Sequence, residues 1–538
     1  MLVMAALPAT ATRPTATGRL DADVTTAPDW PRRLALAGAA GVVVVGIALR
    51  FWTTSDLWLD EALTVDIARL PLSHLHHALQ QDGAPPLYYV LLHFWMGAFG
   101  SSDVAVRALS GVIGVATLPL AYLAGRRVGG RDAGVAALVL VASSPFAVRY
   151  STENRMYALE VLLVAAGVVA LGRALEKPRP GDLVAITAVT AGLLYSHYWA
   201  LYLVATVALY LVWRAGRGAA AGRAAARRAF GALVVGALAF LPWVPTFVYQ
   251  SRHTGTPWAM PADFAAMVNA VTSFAGGATS QGRALALLYF GLAGLGLFGA
   301  AAGLRHVDLD LRTRPAGRPA AFVLAGTLAL AVIGGYATNS AFQARYASVA
   351  LVPLVLLVAL GLTTLADRRV RVGVLAAAVV FGLAGSIPNI WTSRTQAGQV
   401  AAGLAAAGRP GDVIGFCPDQ LGPAVNRLVP PRRYRMITFP RGSSPAFVDW
   451  VDYAAASRAG DVGAFASRLV AMAGPTHQIW LVWAPGYQTF GVKCEGVLDA
   501  LVADDHLVSH EMFPYRPAPN AWVSYEDMEL VRFNPAGT

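Results

Sequence analysis

Residues 85–99 read PPLYYVLLHFWMGAF, and whether they cross a membrane decides the topology of the whole chain. The stretch is apolar, but it opens on two prolines, contains His93 and falls short of the roughly 20 residues a spanning helix needs. It is therefore laid in the outer interface. The next apolar run, 104–125, then travels inward and delivers Arg126, Arg127 and Arg131 to the cytoplasm. With 182–213 read as two tight spans, the clusters Arg173/Lys177/Arg179, Arg214–Arg228, Arg305–Arg318 and Arg368–Arg371 reach the same side. Changing either choice puts several clusters outside, against the positive-inside rule.

The spans this predicts lie near 34–51, 104–125, 132–149, 156–174, 182–197, 198–213, 228–249, 284–304, 319–337, 345–366 and 371–388. The fold class is thus a polytopic α-helical membrane protein with about 11 transmembrane helices over 31–392. The N-terminus is cytoplasmic and the first outer loop covers 52–103. Composition agrees: of 538 residues, 56% are hydrophobic and only 14% charged, with a mean hydropathy of +0.52, which excludes a soluble enzyme. The net charge of +11 sits in short loops between apolar runs, so no nucleic-acid partner is read from it. Residues 1–30 are Ala/Thr/Pro-rich and read as a disordered cytoplasmic tail, with 34–51 a retained signal anchor.

Past 392 the texture changes. Short strand-like runs (DVIGFC, RYRMITF, HQIWLVWAP, DMELVRF) alternate with helical stretches near 419–428, 462–473 and 489–503. This predicts a small extracytoplasmic α/β domain over 395–538. Both cysteines, Cys417 and Cys494, lie in it. In an oxidising exterior they can pair, and two buried free thiols are the other reading. Two cysteines are too few for a cysteine-rich metal site.

Four polar motifs fall on the outer side. SDLWLDEALTVDIARL (55–70) sets Asp60 beside Glu61 between apolar flanks; such a pair suits a general base or a metal ligand, or caps a helix. YSTENRMYALE (150–160) crowds Glu153, Arg155 and Tyr157 at the mouth of a helix, where arginine offers a planar fork to a phosphate or snorkels to head groups. LLYSHYWALY (193–202) holds His197 and Tyr198 at a tight hairpin, and NSAFQARYASVAL (339–351) places Arg345 and Tyr346 where a span begins. Residues 250–283 read as a long outer loop with Arg252, His253 and Trp258. Four such motifs facing one compartment are the layout of an interfacial active site.

In this order, LWLDEA, PPLYYVLLHFW, ENRMYAL, SHYWALYL, PWVPTF and ARYASVALVPL resemble the bacterial membrane glycosyltransferases of the protein O-mannosyltransferase and aminoarabinose transferase superfamily, with the GT-C fold. The resemblance covers about 30–390. It implies transfer of a sugar from a polyprenyl-phosphate carrier to a glycan, lipid or protein acceptor at the outer face of the bacterial cytoplasmic membrane. Asp60 would match the catalytic carboxylate, with Glu61 orienting substrate or a divalent metal. Arg155 and Arg345 are candidates for the donor phosphate and His197 for the site wall; Asp82, His93, Glu153, Tyr157, Tyr198 and Tyr346 complete the candidates. Related sequences commonly carry histidine before the Pro-Pro, where this chain has Ala84, which bears on metal use and acceptor class. The rival readings are a transporter or flippase of lipid-linked glycans, an inactive scaffold, and another interfacial lipid-phosphate enzyme such as a ligase moving a whole glycan. The spans are nearly free of acidic residues, which disfavours the transporter. The α/β domain carries no catalytic constellation in sequence and reads as an acceptor or partner module.

Overall fold

The computed structural model describes residues 30–217, 219–255, 263–304, 306–312, 314–338, 342–487, 489–513 and 525–536. The expected tail, up to residue 29, and Trp258 lie outside them. Among the described residues, seven helices are long and apolar enough to cross a membrane. Shorter apolar helices at Arg33–Leu49, Pro180–Leu194 and Ala200–Ala215 fall on three further expected spans. The run 182–213 is therefore two helices, parted at residues 195–199. Helix Leu87–Phe99 has 13 residues, too few to cross, and buries Tyr88, Tyr89, Leu92 and Met96 while Phe94 and Phe99 stay exposed.

Asp103–Ser143 carries two expected spans, broken at Gly129 and Gly130. Gly130 has φ +78°, a left-handed conformation that a side chain would strain. A Cβ on Gly125 would come 2.5 Å from the Ala133 carbonyl oxygen, and one on Gly134 2.9 Å from that of Tyr122. The two halves therefore run antiparallel in close contact.

The run Leu351–Thr364, LVPLVLLVALGLTT, is apolar on every side and lies almost wholly buried at the centre of the bundle. It follows a 3-10 turn, Ala344–Ala350. It packs backbone to backbone on Ser280–Phe298: a Cβ on Gly361 would sit 1.8 Å from the Leu292 carbonyl oxygen, and one on Gly296 2.2 Å from that of Leu357. Gly361→Val is expected to push these helices apart and remove most of the monodisperse protein seen by size-exclusion chromatography. A normal elution profile and thermal midpoint would show that the contact is dispensable.

One expected loop holds more structure than predicted, and one expected span is shorter. Segment 250–283 contains the end of helix Val244–His253 and a separate helix, Phe264–Phe274. The expected span 284–304 ends at Phe298, because Gly299–Ala301 turns into a small hairpin with Val307–Leu309.

The α/β domain is a five-stranded sheet, in spatial order Arg435–Thr438, Val413–Cys417, Ile479–Trp483, Glu529–Pro535 and Leu507–Phe513. The first three strands are parallel and the last two pairings antiparallel. Val413–Cys417 and Ile479–Trp483 are buried throughout, as their unbroken apolar runs require of central strands. Strand Leu507–Phe513 was not expected: it is an edge strand interrupted by Ser509, His510 and Glu511, so its signal is weak. Arg427 ties the domain to Asp103 at 2.8 Å, at the start of the second expected span.

Of the two cysteine readings, the structure has the bridge. Cys417, ending a central strand, is bonded to Cys494 in helix Lys493–Val502, 77 residues away. Closing a loop of that length restricts the unfolded chain by about 4 kcal/mol. Reduction, or a Cys417→Ala/Cys494→Ala double exchange, is expected to lower the thermal midpoint of the domain by several degrees, read by scanning fluorimetry with and without reductant.

Candidate active site

A cavity of about 480 Å³ opens where the helical bundle meets the α/β domain. Asp60, Asp82, Arg155, His197, Tyr198, Arg345 and Tyr346 line it, so seven of the eleven residues singled out in the sequence come together. They arrive from four separate stretches: the first loop, the turn at 152–156, the break at 195–199 and the 3-10 turn Ala344–Ala350.

Asp60 stands in the first turn of helix Leu59–Ala68, where the N-terminal dipole favours an anion. Its Oδ2 lies 3.7 Å from Arg345 Nη2 and 4.0 Å from Arg155 Nε. A closed charge-assisted hydrogen bond is about 2.8 Å. The carboxylate therefore faces two guanidinium groups without closing on either, and the trio carries one net positive charge. Each arginine is held from behind. Arg155 Nη1 donates to the Thr64 hydroxyl at 2.9 Å and the Tyr89 hydroxyl at 3.3 Å. The Arg345 guanidinium lies 5.6 Å over the Trp58 ring and 5.5 Å over that of Tyr346. Tyr89 also donates to Asp82 Oδ2 at 2.5 Å. Burial pushes the Asp82 carboxyl above its ordinary pKa, against the opposing pull of Arg155.

The neighbouring Glu61 points the other way. One residue further along the helix, it leaves the cavity and is completely buried. Arg107 grips it with a fork, Nε to Oε1 at 2.7 Å and Nη2 to Oε2 at 2.6 Å. Arg394 Nη1 donates to Oε2 at 3.3 Å, and the Asn154 backbone N–H to Oε1 at 3.0 Å. Burial alone would raise the pKa of Glu61, but the two arginines and the amide hold it well below the usual carboxylate range. This cage joins the first loop, helix Asp103–Ser143, the turn beside Arg155 and the strap entering the α/β domain. It fixes the helix that presents Asp60.

Three other expected residues stay out of the cavity. His93 Nδ1 bonds the carbonyl of Ala68 at 2.8 Å, taking up a free carbonyl at the end of helix Leu59–Ala68. Glu153 is buried against Arg149 at 2.5 Å, one helical turn back. Tyr157 is fully buried behind the wall, its ring centroid 4.9 Å from that of Tyr150 and 6.0 Å from that of His197. His197 Nδ1 accepts from the Trp199 backbone N–H at 3.3 Å, and its ring packs 5.0 Å from Tyr346. Tyr198 donates to Gln250 and accepts from Trp243 Nε1 at 3.0 Å. Ala84, before the Pro-Pro pair, does line the cavity.

Sequence reading missed the far wall. Trp450, Tyr487, Tyr525, Glu526 and Asp527 come from the α/β domain, and no motif spacing announces them. Arg107 and Arg394 were missed as well; an arginine at the expected outer end of a span, against the expected charge bias, was the available signal for Arg107. No group of three or more His, Cys, Asp or Glu able to hold a metal ion occurs among the described residues. Both oxygens of Glu61, the expected metal-orienting group, are already taken by arginines and an amide. No step is therefore routed through a metal.

Residues 83–249 match the family model described as dolichyl-phosphate-mannose-protein mannosyltransferase. No curated protein matches the chain in sequence. Among solved structures, ArnT from Cupriavidus metallidurans bound to undecaprenyl phosphate superposes with a TM-score of 0.54 at 14% identity, covering 95% of this chain and 99% of that one. The apo state of the same protein gives 0.53 at 14% identity, with coverages of 94% and 97%. The oligosaccharyltransferase of Archaeoglobus fulgidus in its apo form gives 0.48 at 11% identity, covering 90% and 74%. Coverage near the full length of both chains means that the likeness to ArnT runs through the bundle and the α/β domain together. The chain is a multi-pass membrane protein with the GT-C fold.

Proposed function

We propose that this GT-C chain is an inverting glycosyltransferase, moving a sugar from a polyprenyl-phosphate carrier to an acceptor hydroxyl at the outer face of the bacterial cytoplasmic membrane. The observation that carries this reading is Asp60 held open between Arg155 and Arg345 in the junction cavity. A phosphodiester-linked sugar is an anion, and the two guanidinium groups of Arg155 and Arg345 in the cavity attract it. The acceptor oxygen attacks the anomeric carbon and its proton passes to the Asp60 carboxylate. The bond from that carbon to the phosphate oxygen breaks, and its electron pair leaves with the carrier phosphate. Arg155 and Arg345 neutralise the charge that builds there. A single displacement inverts the anomeric centre. Glu61 acts as a positioning residue, through its arginine cage. His197 and Tyr346 shape the wall beside Arg345.

The likeness to ArnT, whose structure holds undecaprenyl phosphate, supports a lipid-linked donor. The Cys417–Cys494 bridge supports an oxidising, extracytoplasmic setting for the α/β domain, in agreement with the arginine bias of the loops. Glycan, lipid and protein acceptors all present the hydroxyl this chemistry needs. The test is transfer of radiolabel from polyprenyl-phosphate sugars in membranes with and without the overproduced protein, each with and without chelator. Label should reach an acceptor only where the protein is present, and the chelator lane reports metal use. Equal background in both membranes, across the donors tried, would sink the reading.

A further inference from the structure

We infer that Trp58, Tyr525 and Glu526 form a sugar subsite in the cavity wall, in which the α/β domain supplies the carboxyl that hydrogen-bonds a sugar hydroxyl. This rests on the glycosyl-transfer reading above. Three observations meet at this wall. The rings of Trp58 and Tyr525 stack at the cavity wall with centroids 4.4 Å apart and an interplanar angle of 29°. The Trp58 indole N–H is buried and makes no hydrogen bond among the described residues. Glu526 is 1% exposed, lines the cavity, and neither carboxyl oxygen makes a well-formed hydrogen bond, although the Thr395 hydroxyl and the Leu59 backbone lie beside it.

The strap bearing Glu526 is pinned. The backbone N–H groups of Tyr525 and Glu526 both donate to the Arg394 carbonyl, at 2.9 and 3.2 Å, and that of Gln396 donates to the Glu526 carbonyl at 3.1 Å. The Glu526 carboxyl and the Trp58 indole N–H are therefore held at fixed positions. Buried polar atoms without partners are costly unless something satisfies them. A sugar offers what is missing: hydroxyls that both donate and accept hydrogen bonds.

The charged and titratable groups facing Glu526 are Asp60 and Glu61 from the first loop and Tyr487 from the α/β domain, with Asp527 next to it on the strap. Arg394, at the strap, is spent on Glu61. Burial, with these carboxylates around it, pushes Glu526 up to about 8. At neutral pH it is a carboxylic acid that both donates and accepts.

The test uses the full-length protein in lipid nanodiscs. Affinity is measured for bare polyprenyl phosphate and for the same carrier bearing mannose, glucose or arabinose. In wild type, at least one sugar should tighten binding about tenfold over the bare carrier, the size expected of a few net hydrogen bonds. Glu526→Ala should abolish that increment while bare-carrier affinity stays unchanged, which also reports an intact fold. Glu526→Gln, neutral and still able to donate and accept, should keep it. Raising the pH through about 8 ionises Glu526, so the increment should fade in wild type and persist in the glutamine variant. The subsite is overturned if no sugar tightens wild-type binding, if Glu526→Ala keeps the increment, or if bare-carrier affinity falls equally. An intact increment without any sugar transfer would sink the transfer reading alone; transfer without an increment would sink the subsite alone.

Discussion

Exchanging Asp60 for asparagine is expected to lower sugar transfer at least about a hundredfold, the loss typical of a removed general base. The exchange preserves shape while removing charge and basicity. It also leaves Arg345 and Arg155, 3.7 and 4.0 Å from this side chain, facing a neutral group in place of a carboxylate. Donor binding should then hold or tighten, so the defect appears in kcat with KM for the lipid-linked sugar unchanged or lower. Radiolabel transfer across a donor concentration series separates the two. Equal kcat in both proteins would remove Asp60 from the chemistry and turn attention to Asp82 and Glu526, which line the same cavity.

The second large effect is on stability. Glu61→Gln should lower the thermal midpoint by about 5 °C or more, since removing one partner of a buried ion pair costs about 3–5 kcal/mol. Here two arginines, 7% and 0% exposed, would lose their shared counter-charge together. The sign of the pH dependence follows from the cage. Glu61 titrates below its ordinary value of 4.5 in the folded protein. Its contribution is therefore present at neutral pH and disappears as the pH falls below that value. The glutamine variant should accordingly match wild type more closely at low pH, by scanning fluorimetry in detergent. An unchanged midpoint with abolished transfer would instead assign Glu61 a direct part in the reaction.

These two adjacent carboxylates mark the limit of sequence reading. Asp60 and Glu61 are equivalent in the string LWLDEA, and a helix of 3.6 residues per turn sets them about 100° apart. Only the packing of Asp103–Ser143 and the entry of Arg394 decide which one meets the cavity and which is buried among arginines. His93 shows the same thing. In sequence it sits in a conspicuous apolar run, yet a free carbonyl at Ala68 takes it up.

The sequence by itself determined the membrane class, the short non-spanning helix at 87–99, the two helices within 182–213 and the α/β texture after 392. These depend on local apolar periodicity, length and the placement of arginines, all properties of contiguous residues. It also singled out Asp60, Arg155, His197 and Arg345, because charged and aromatic residues between apolar runs are costly and stand out. The tertiary structure alone decided which of them converge, that Cys417 and Cys494 pair, and that the far wall of the cavity belongs to Tyr487, Tyr525 and Glu526. Asp60 and Glu526 are separated by most of the chain. Contacts at that distance are set by how the whole bundle and domain pack, and no local pattern of residues encodes them.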